Sequence, residues 1–154
     1  RFGAAARVAI DLAEQLHRGG GVNILAGCER LLERGHVGHV RGEAQFDLVT
    51  ALAGSGPGFV YRFIDALTKG GAAAGLPRDI AAQLALSMTE GAAMLAASSP
   101  QTPDALAARV TSPGGTTAAG LAVLDSANAL EALMTQTLRA ARDRGTELAK
   151  GDVT

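Results

Sequence analysis

The residues best suited to hold a ligand form the run Ser112-Pro113-Gly114-Gly115-Thr116-Thr117. Proline fixes one turn, and two glycines leave the backbone bare enough for a small molecule to approach. A helix following this run presents unpaired N–H groups at its positive end, which suits a carboxylate or a phosphate. The dipole contributes about 0.3–1 kcal/mol for such an anion, and charge-assisted bonds from the amides are stronger than neutral ones. The hydroxyls of Thr116 and Thr117 stand beside those amides and can fix a second polar atom. The same residue types also make a plain loop in which Thr116 caps the helix, so both readings stay open here.

Other patterns carry less chemistry. Gly54-Ser55-Gly56-Pro57-Gly58 fails as a nucleotide loop, because Phe59 stands where G-x-G-x-x-G needs its last glycine. It fails as a nucleophile elbow too, since Ala53 replaces the first glycine of G-x-S-x-G. A tight helix kink packed against a partner is the better reading, and Gly71-x-x-x-Gly75 reads as a helix contact or a helix stop. Cys28, His36 and His39 offer three zinc-binding atoms, but their spacing matches no paired pattern and no fourth ligand is evident, so no metal is expected. No Ser–His–Asp or Cys–His arrangement can be placed, because His17, His36 and His39 all precede the helical region.

The elements that must position the 112–117 run are helices. Phe46 to Ala53 predicts a short helix, broken by the glycine cluster and resumed from Phe59 to about Ala74, with Val60, Phe63, Ile64 and Leu67 on one face. Gly75 ends that helix, and Pro77 suits the first turn of the next. Residues 78–97 carry Ile80, Leu84, Met88, Gly91 and Leu95 on one stripe. Thr102-Pro103-Asp104 is a strong start signal for a helix to Val110. Thr116 and Thr117 open another helix through Leu124, and Asn128 is placed to cap the last one. In that helix Leu130, Leu133, Met134, Leu138 and Ala141 form the apolar stripe, while Arg139, Arg142 and Arg144 are expected near its C-terminal end.

Composition agrees with packed helices. The 154 residues are 47% hydrophobic but only 3% aromatic, so any core consists of Leu, Val, Ile, Met and Ala. Many facing positions are Ala or Gly, which bury little area per residue, and a homodimer sharing one core is the expected remedy. The net charge of −1 and the scarcity of stacking rings argue against a nucleic acid partner. No continuous apolar run reaches the roughly 18–20 residues of a spanning helix, so a cytoplasmic protein with no membrane partner is expected. The lone Cys28 fits a reducing compartment.

In register, these pieces resemble a known family. Glu43-Ala44-Gln45-Phe46-Asp47-Leu48-Val49-Thr50-Ala51-Leu52-Ala53-Gly54-Ser55-Gly56-Pro57 is similar to the E-x-x-x-D-x-x-T-A-x-x-G-S-G-P pattern that opens the helical domain of pyrroline-5-carboxylate reductases. Gly75-Leu76-Pro77-Arg78 and Val110 through Thr117 look like the family's later signatures, and the likeness runs from about Glu43 to Leu148. The resemblance implies an all-α dimerisation domain, a bundle like the C-terminal part of 6-phosphogluconate dehydrogenase. It also implies NADPH- or NADH-dependent reduction of a small cyclic imino acid to proline, by interlocked homodimers that assemble further. By the same resemblance, Ser112, Gly114, Gly115, Thr116 and Thr117 bind the substrate. Amides around Ser112, Gly115 and Thr116 hold its carboxylate, and the Thr117 hydroxyl is the catalytic group facing the ring nitrogen.

Residues 1–42 differ in character. They hold all three histidines, Cys28 and six arginines but no lysine, and show neither the family's dinucleotide fingerprint nor its alternating strands. The expected organisation is therefore an irregular segment over 1–42, a dimerisation and substrate-binding domain over 43–149, and a tail over 150–154. The family's Rossmann domain is expected to be missing, so no cofactor is expected to bind this chain alone and the chain alone is expected to be inactive. A partial product or a frame change upstream of Glu43 would account for the foreign region. Two other readings remain: a non-enzymatic helical homodimerisation module, and a related reductase acting on another imino acid.

Overall fold

The computed structural model describes residues 43–149, and the described residues contain helices and turns but no strand. That agrees with the all-α expectation. In chain order the helices are α1 (Glu43–Val49), α2 (Gly56–Ala73), α3 (Arg78–Ser98), α4 (Pro103–Arg109), α5 (Thr116–Leu124) and α6 (Ala129–Ala149). A π-helical turn over Thr50–Gly54 joins α1 to α2, and a 3-10 turn over Ser126–Asn128 joins α5 to α6. The described chain forms two compact units, Val60–Leu133 and a second made of residues 43–59 with 134–149. The segment holding Cys28, His36 and His39 lies outside the described residues.

In the unit Val60–Leu133, α2 ends in a fully formed Schellman turn. The Leu76 amide donates to the Gly71 carbonyl at 3.1 Å, and the Gly75 amide to that of Ala72 at 3.1 Å. Gly75 takes φ 113°, a conformation that only glycine adopts without strain. Gly71 allows close approach of α3, since a Cβ there would stand 3.3 Å from the Cβ of Ala81. Both roles expected of the Gly71–Gly75 pair are thus present. Pro77 occupies the cap position of α3 with ψ 136° rather than its first turn. Proline biases the residue before it toward extended backbone, so Leu76-Pro77 forms the link and the helix proper begins at Arg78.

What packs inside this unit is small. Ala81 and Ala85 are 3% and 7% exposed, and the buried Thr68 donates its hydroxyl to the Ile64 carbonyl of its own helix at 3.0 Å. No large side chain is fully buried among the described residues. The predicted stripe of α3 faces outward: Leu84 is 56% exposed, and Ile80, Met88 and Leu95 are exposed with it, as is the neighbouring Met94. At 3.6 residues per turn these positions, with Gly91, cover about 120° of the helix beside the buried Ala81–Ala85 edge. By length and average composition α3 also passes for a membrane span, although no continuous apolar run of that length occurs in it. The reason is that four polar residues, Gln83, Ser87, Thr89 and Glu90, break the run without lowering its average enough.

α4 opens as expected: the Thr102 hydroxyl accepts from the Ala105 amide at 3.3 Å, with Pro103 in the first turn. The α5–α6 corner departs from expectation. Asn128 lies at φ 57° and Ala127 at φ 51°, both left-handed, so Asn128 does not take the extended conformation from which a capping side chain reaches back. A non-glycine residue in this region costs about 1–2 kcal/mol, and less for asparagine.

In the other unit, α1 begins at Glu43, three residues before the expected start. The chain widens into the π turn, with the Ser55 amide donating to the Thr50 carbonyl at 3.3 Å, and then bends at Ser55, inside the expected glycine cluster, before α2 starts at Gly56 with Pro57 in its first turn. Ala51 is 3% exposed here. The Thr146 hydroxyl of α6 donates to the Asp47 carboxylate of α1 at 2.8 Å. Because α6 runs on to Ala149, its last turn holds no basic residue, and Arg139, Arg142 and Arg144 lie further inside than expected. Arg142 and Arg144 pair locally instead, with Asp143 and Glu147 respectively, the latter at 2.8 Å.

Candidate functional site

All five sequence-predicted site residues are neighbours: Ser112, Gly114 and Gly115 lie in the loop leading into α5, and Thr116 and Thr117 form its first two positions. α4 stops at Arg109 because its last carbonyls turn inward: the Val110 amide bonds to Ala107, the Thr111 amide to Ala108, and the Thr111 hydroxyl donates to the Ala107 carbonyl at 2.6 Å. Thr111 thereby anchors the start of the loop. Sequence reasoning assigned it no part, although a threonine four residues after a helical carbonyl is the available signal.

Ser112 to Gly115 then form a tight turn. The Gly115 amide donates to the Ser112 carbonyl at 3.0 Å, with Pro113 second and Gly114 third at φ 69°, the arrangement of a type II turn. Gly115 is required for a separate reason. A Cβ on it would collide with Ser112 Oγ and sit 3.1 Å from the Ser112 carbonyl oxygen.

Gly115, not Thr116, is the N-cap of α5, and no side chain caps the helix. The first helical bond runs from the Ala119 amide to the Gly115 carbonyl at 3.1 Å, so the amides of Thr116, Thr117 and Ala118 precede the helical ladder. This decides one point left open above, because Thr116 does not act as a capping residue. It also alters another, since the Gly115 amide is committed to the turn and is not a spare donor. Ser112, Gly114 and Thr116 are exposed, whereas Gly115 and Thr117 are half-buried. Among the described residues the Thr117 hydroxyl has no hydrogen-bond partner.

No ionisable side chain occurs between Arg109 and Asp125. Arg109 is tied to the Gln101 side chain at 2.7 Å. The loop can therefore recognise an acid group through amides and hydroxyls, but it holds no strong acid or base of its own. Among the described residues no group of three or more His, Cys, Asp or Glu side chains is placed to hold a metal. Neither is there a strand–loop–helix unit to hold a dinucleotide, so no cofactor step is assigned to these residues.

Helices that leave Leu and Met side chains uncovered, with a glycine turn feeding an uncapped helix end, define a helical domain suited to self-association. The chain belongs to the pyrroline-5-carboxylate reductase family, whose dimerisation domain matches residues 43–148. It is 46% identical over 108 residues to the pyrroline-5-carboxylate reductase of Pseudomonas aeruginosa, covering 70% of this chain and 39% of that protein. It is 47% identical over 97 residues to the enzyme of that name from Pisum sativum, covering 63% and 36%. Among solved structures, the Coxiella burnetii reductase superposes with a TM-score of 0.66 at 38% identity, covering 71% of this chain and 40% of that one. The Plasmodium falciparum reductase, solved with NADP bound, gives 0.62 at 33% identity, covering 68% and 39%. The chain thus spans about two fifths of the length of the relatives it matches.

Proposed function

We propose that residues 43–149 are the dimerisation and substrate-binding domain of an enzyme reducing 1-pyrroline-5-carboxylate to L-proline, with residues 150–154 as a tail. In this reading the substrate carboxylate sits against the amides of Thr116, Thr117 and Ala118, where the α5 dipole favours negative charge. Gly114 and Gly115 keep side-chain bulk out of its path, and Ser112 and Thr116 offer hydroxyls at its edges. The half-buried Thr117 hydroxyl faces the ring nitrogen, which gains a proton as the imine bond is reduced. The hydride for the imine carbon would come from a nicotinamide cofactor, for which the described residues offer no binding unit. A cytoplasmic location accords with such a biosynthetic role.

One observation supports the reading most: an uncapped helix end follows a Pro-Gly-Gly turn, within the span that the family model matches. The test is ligand binding. L-Proline titrated into the chain should shift the amide resonances of Thr116 to Ala118. Thr117→Val should leave the fold within about 0.5 kcal/mol, while lowering kcat/KM of the intact enzyme about tenfold or more, with Thr117→Ser restoring most of it. Self-association with no shift at those amides would favour the non-enzymatic dimerisation module instead.

A further inference from the structure

Between α4 and α5 a side-chain hydroxyl takes the place of a backbone amide. In a helix carried past Arg109, the Thr111 amide would bond to the Ala107 carbonyl four residues back. Here that amide bonds to Ala108 at 3.2 Å, and the half-buried Thr111 hydroxyl donates to the Ala107 carbonyl at 2.6 Å. The Val110 amide shares the same acceptor at 3.2 Å. Thr68 and Thr89 also donate to carbonyls four residues back, but they do so inside α2 and α3, where the backbone is already helical. At Thr111 the helix has ended, so the bond fixes the direction in which the chain leaves it.

α4 has only seven residues, a length that is marginal without outside support. Gln101, just before its start, and Arg109, at its end, are joined side chain to side chain at 2.7 Å. The Ser99 hydroxyl accepts from the Gln101 amide at 3.0 Å, which ties this brace to the end of α3. The Thr102 hydroxyl caps the first turn. The carbonyl that Thr111 grips therefore belongs to a braced element.

Beyond Thr111 the backbone is intrinsically loose. Gly114 and Gly115 lie between it and the first amides of α5, and glycine has more conformational freedom to lose than any other residue. The bond from the Gly115 amide closes that stretch back onto the Ser112 carbonyl, and Ser112 follows Thr111 directly. Support thus runs from α4 through Thr111 into the turn, and from the turn to the amides of Thr116, Thr117 and Ala118.

We propose, on the substrate assignment made above, that Thr111 is a positioning residue: its hydroxyl, held by Ala107, aims the Thr116–Ala118 amides at the substrate carboxylate. A carboxylate gripped by several amides binds best when they already converge, because ordering them on binding costs affinity. Thr111 acts through these amides and not on the ligand.

L-Proline titrated into the full chain, well below its unfolding midpoint and read at the Thr116–Ala118 amide resonances, tests this. Thr111→Val keeps the branched shape and loses the donor. It should raise the dissociation constant about threefold to tenfold, the span that one neutral hydrogen bond allows. Thr111→Ser keeps the donor and should stay within about twofold of the parent. A hydroxyl serving the fold alone would lower the unfolding midpoint of the valine variant and leave the affinity of its folded form unchanged. Unchanged affinity in that variant therefore overturns the proposal, while proline binding by the parent keeps the substrate assignment standing. A serine variant as weak as the valine one overturns it too, since the donor would then not suffice. A parent with no shift at these amides overturns both. Thr111→Ala carries the same expectation as the valine variant should the latter not fold.

Discussion

At the residue scale, two neighbouring glycines are needed for different reasons. Gly114 is needed for its conformation: at φ 69° any side chain would add about 1–2 kcal/mol of backbone strain. Gly115 is needed for space, because its Cβ would strike the Ser112 side chain and press on the Ser112 carbonyl. Gly115→Ala should therefore cost about 1–3 kcal/mol, as overpacking usually does, and displace Ser112 from the turn. Denaturant unfolding measures the first effect and proline titration the second. A stable variant with unchanged affinity would mean the turn is not the ligand's support. Asp65 is a simpler case, on the exposed face of α2. The Lys69 ammonium bonded to its carboxylate at 2.6 Å pulls its pKa down, burial opposes slightly, and Lys69, Arg62 and Arg78 add their charge. A depressed carboxyl stabilises the fold above its unfolded pKa of about 3.9 and loses that contribution as pH falls through the folded value. Lys69→Met should move the Asp65 titration upward, read from its side-chain carboxyl resonance, with little change in stability at neutral pH because the pair is exposed.

At the element scale, local chemistry decided how well each boundary could be foreseen. Thr102-Pro103-Asp104 combines a capping hydroxyl, a preset φ and a first-turn acid, and α4 begins there. Thr102→Ala should destabilise the unit by about 1 kcal/mol in thermal unfolding, the usual cost of a lost cap. Gly75 was legible for the same reason, since one residue type supplies the left-handed stop. The interruption at Ser55 was legible from its glycines, but the π turn at Thr50–Gly54 was not, because a widened turn needs no special residue. Asn128 misled because asparagine serves equally in a cap and in left-handed backbone, and only the neighbouring Ala127 geometry separates the two. In the candidate site, sequence placed the five residues at one loop-to-helix junction but could not say which amide the turn itself consumes. That depends on the Gly115–Ser112 bond, a fact of three-dimensional closure.

At the scale of the molecule, the balance between what α3 buries and what it leaves uncovered governs stability. Alanines fill the inside of the Val60–Leu133 unit, while Leu84, Met88, Met94 and Leu95 stay open to water, each forgoing about 1.5–3 kcal/mol that full burial would contribute. The match to a dimerisation domain makes a second copy the natural cover for such a face. A fold completed by its twin must have a stability that rises with protein concentration, because association removes only the folded form from the unfolding equilibrium. Leu84→Asp places a charge on that shared face and leaves the Ala81–Ala85 edge untouched. It should shift the sedimenting species from dimer to monomer, lower the unfolding midpoint, and abolish the concentration dependence of that midpoint. Binding to neutral phospholipid vesicles should be negligible for the parent and the variant alike. A variant that still sediments as a dimer, with its midpoint tracking concentration as before, would place the shared surface on helices other than α3.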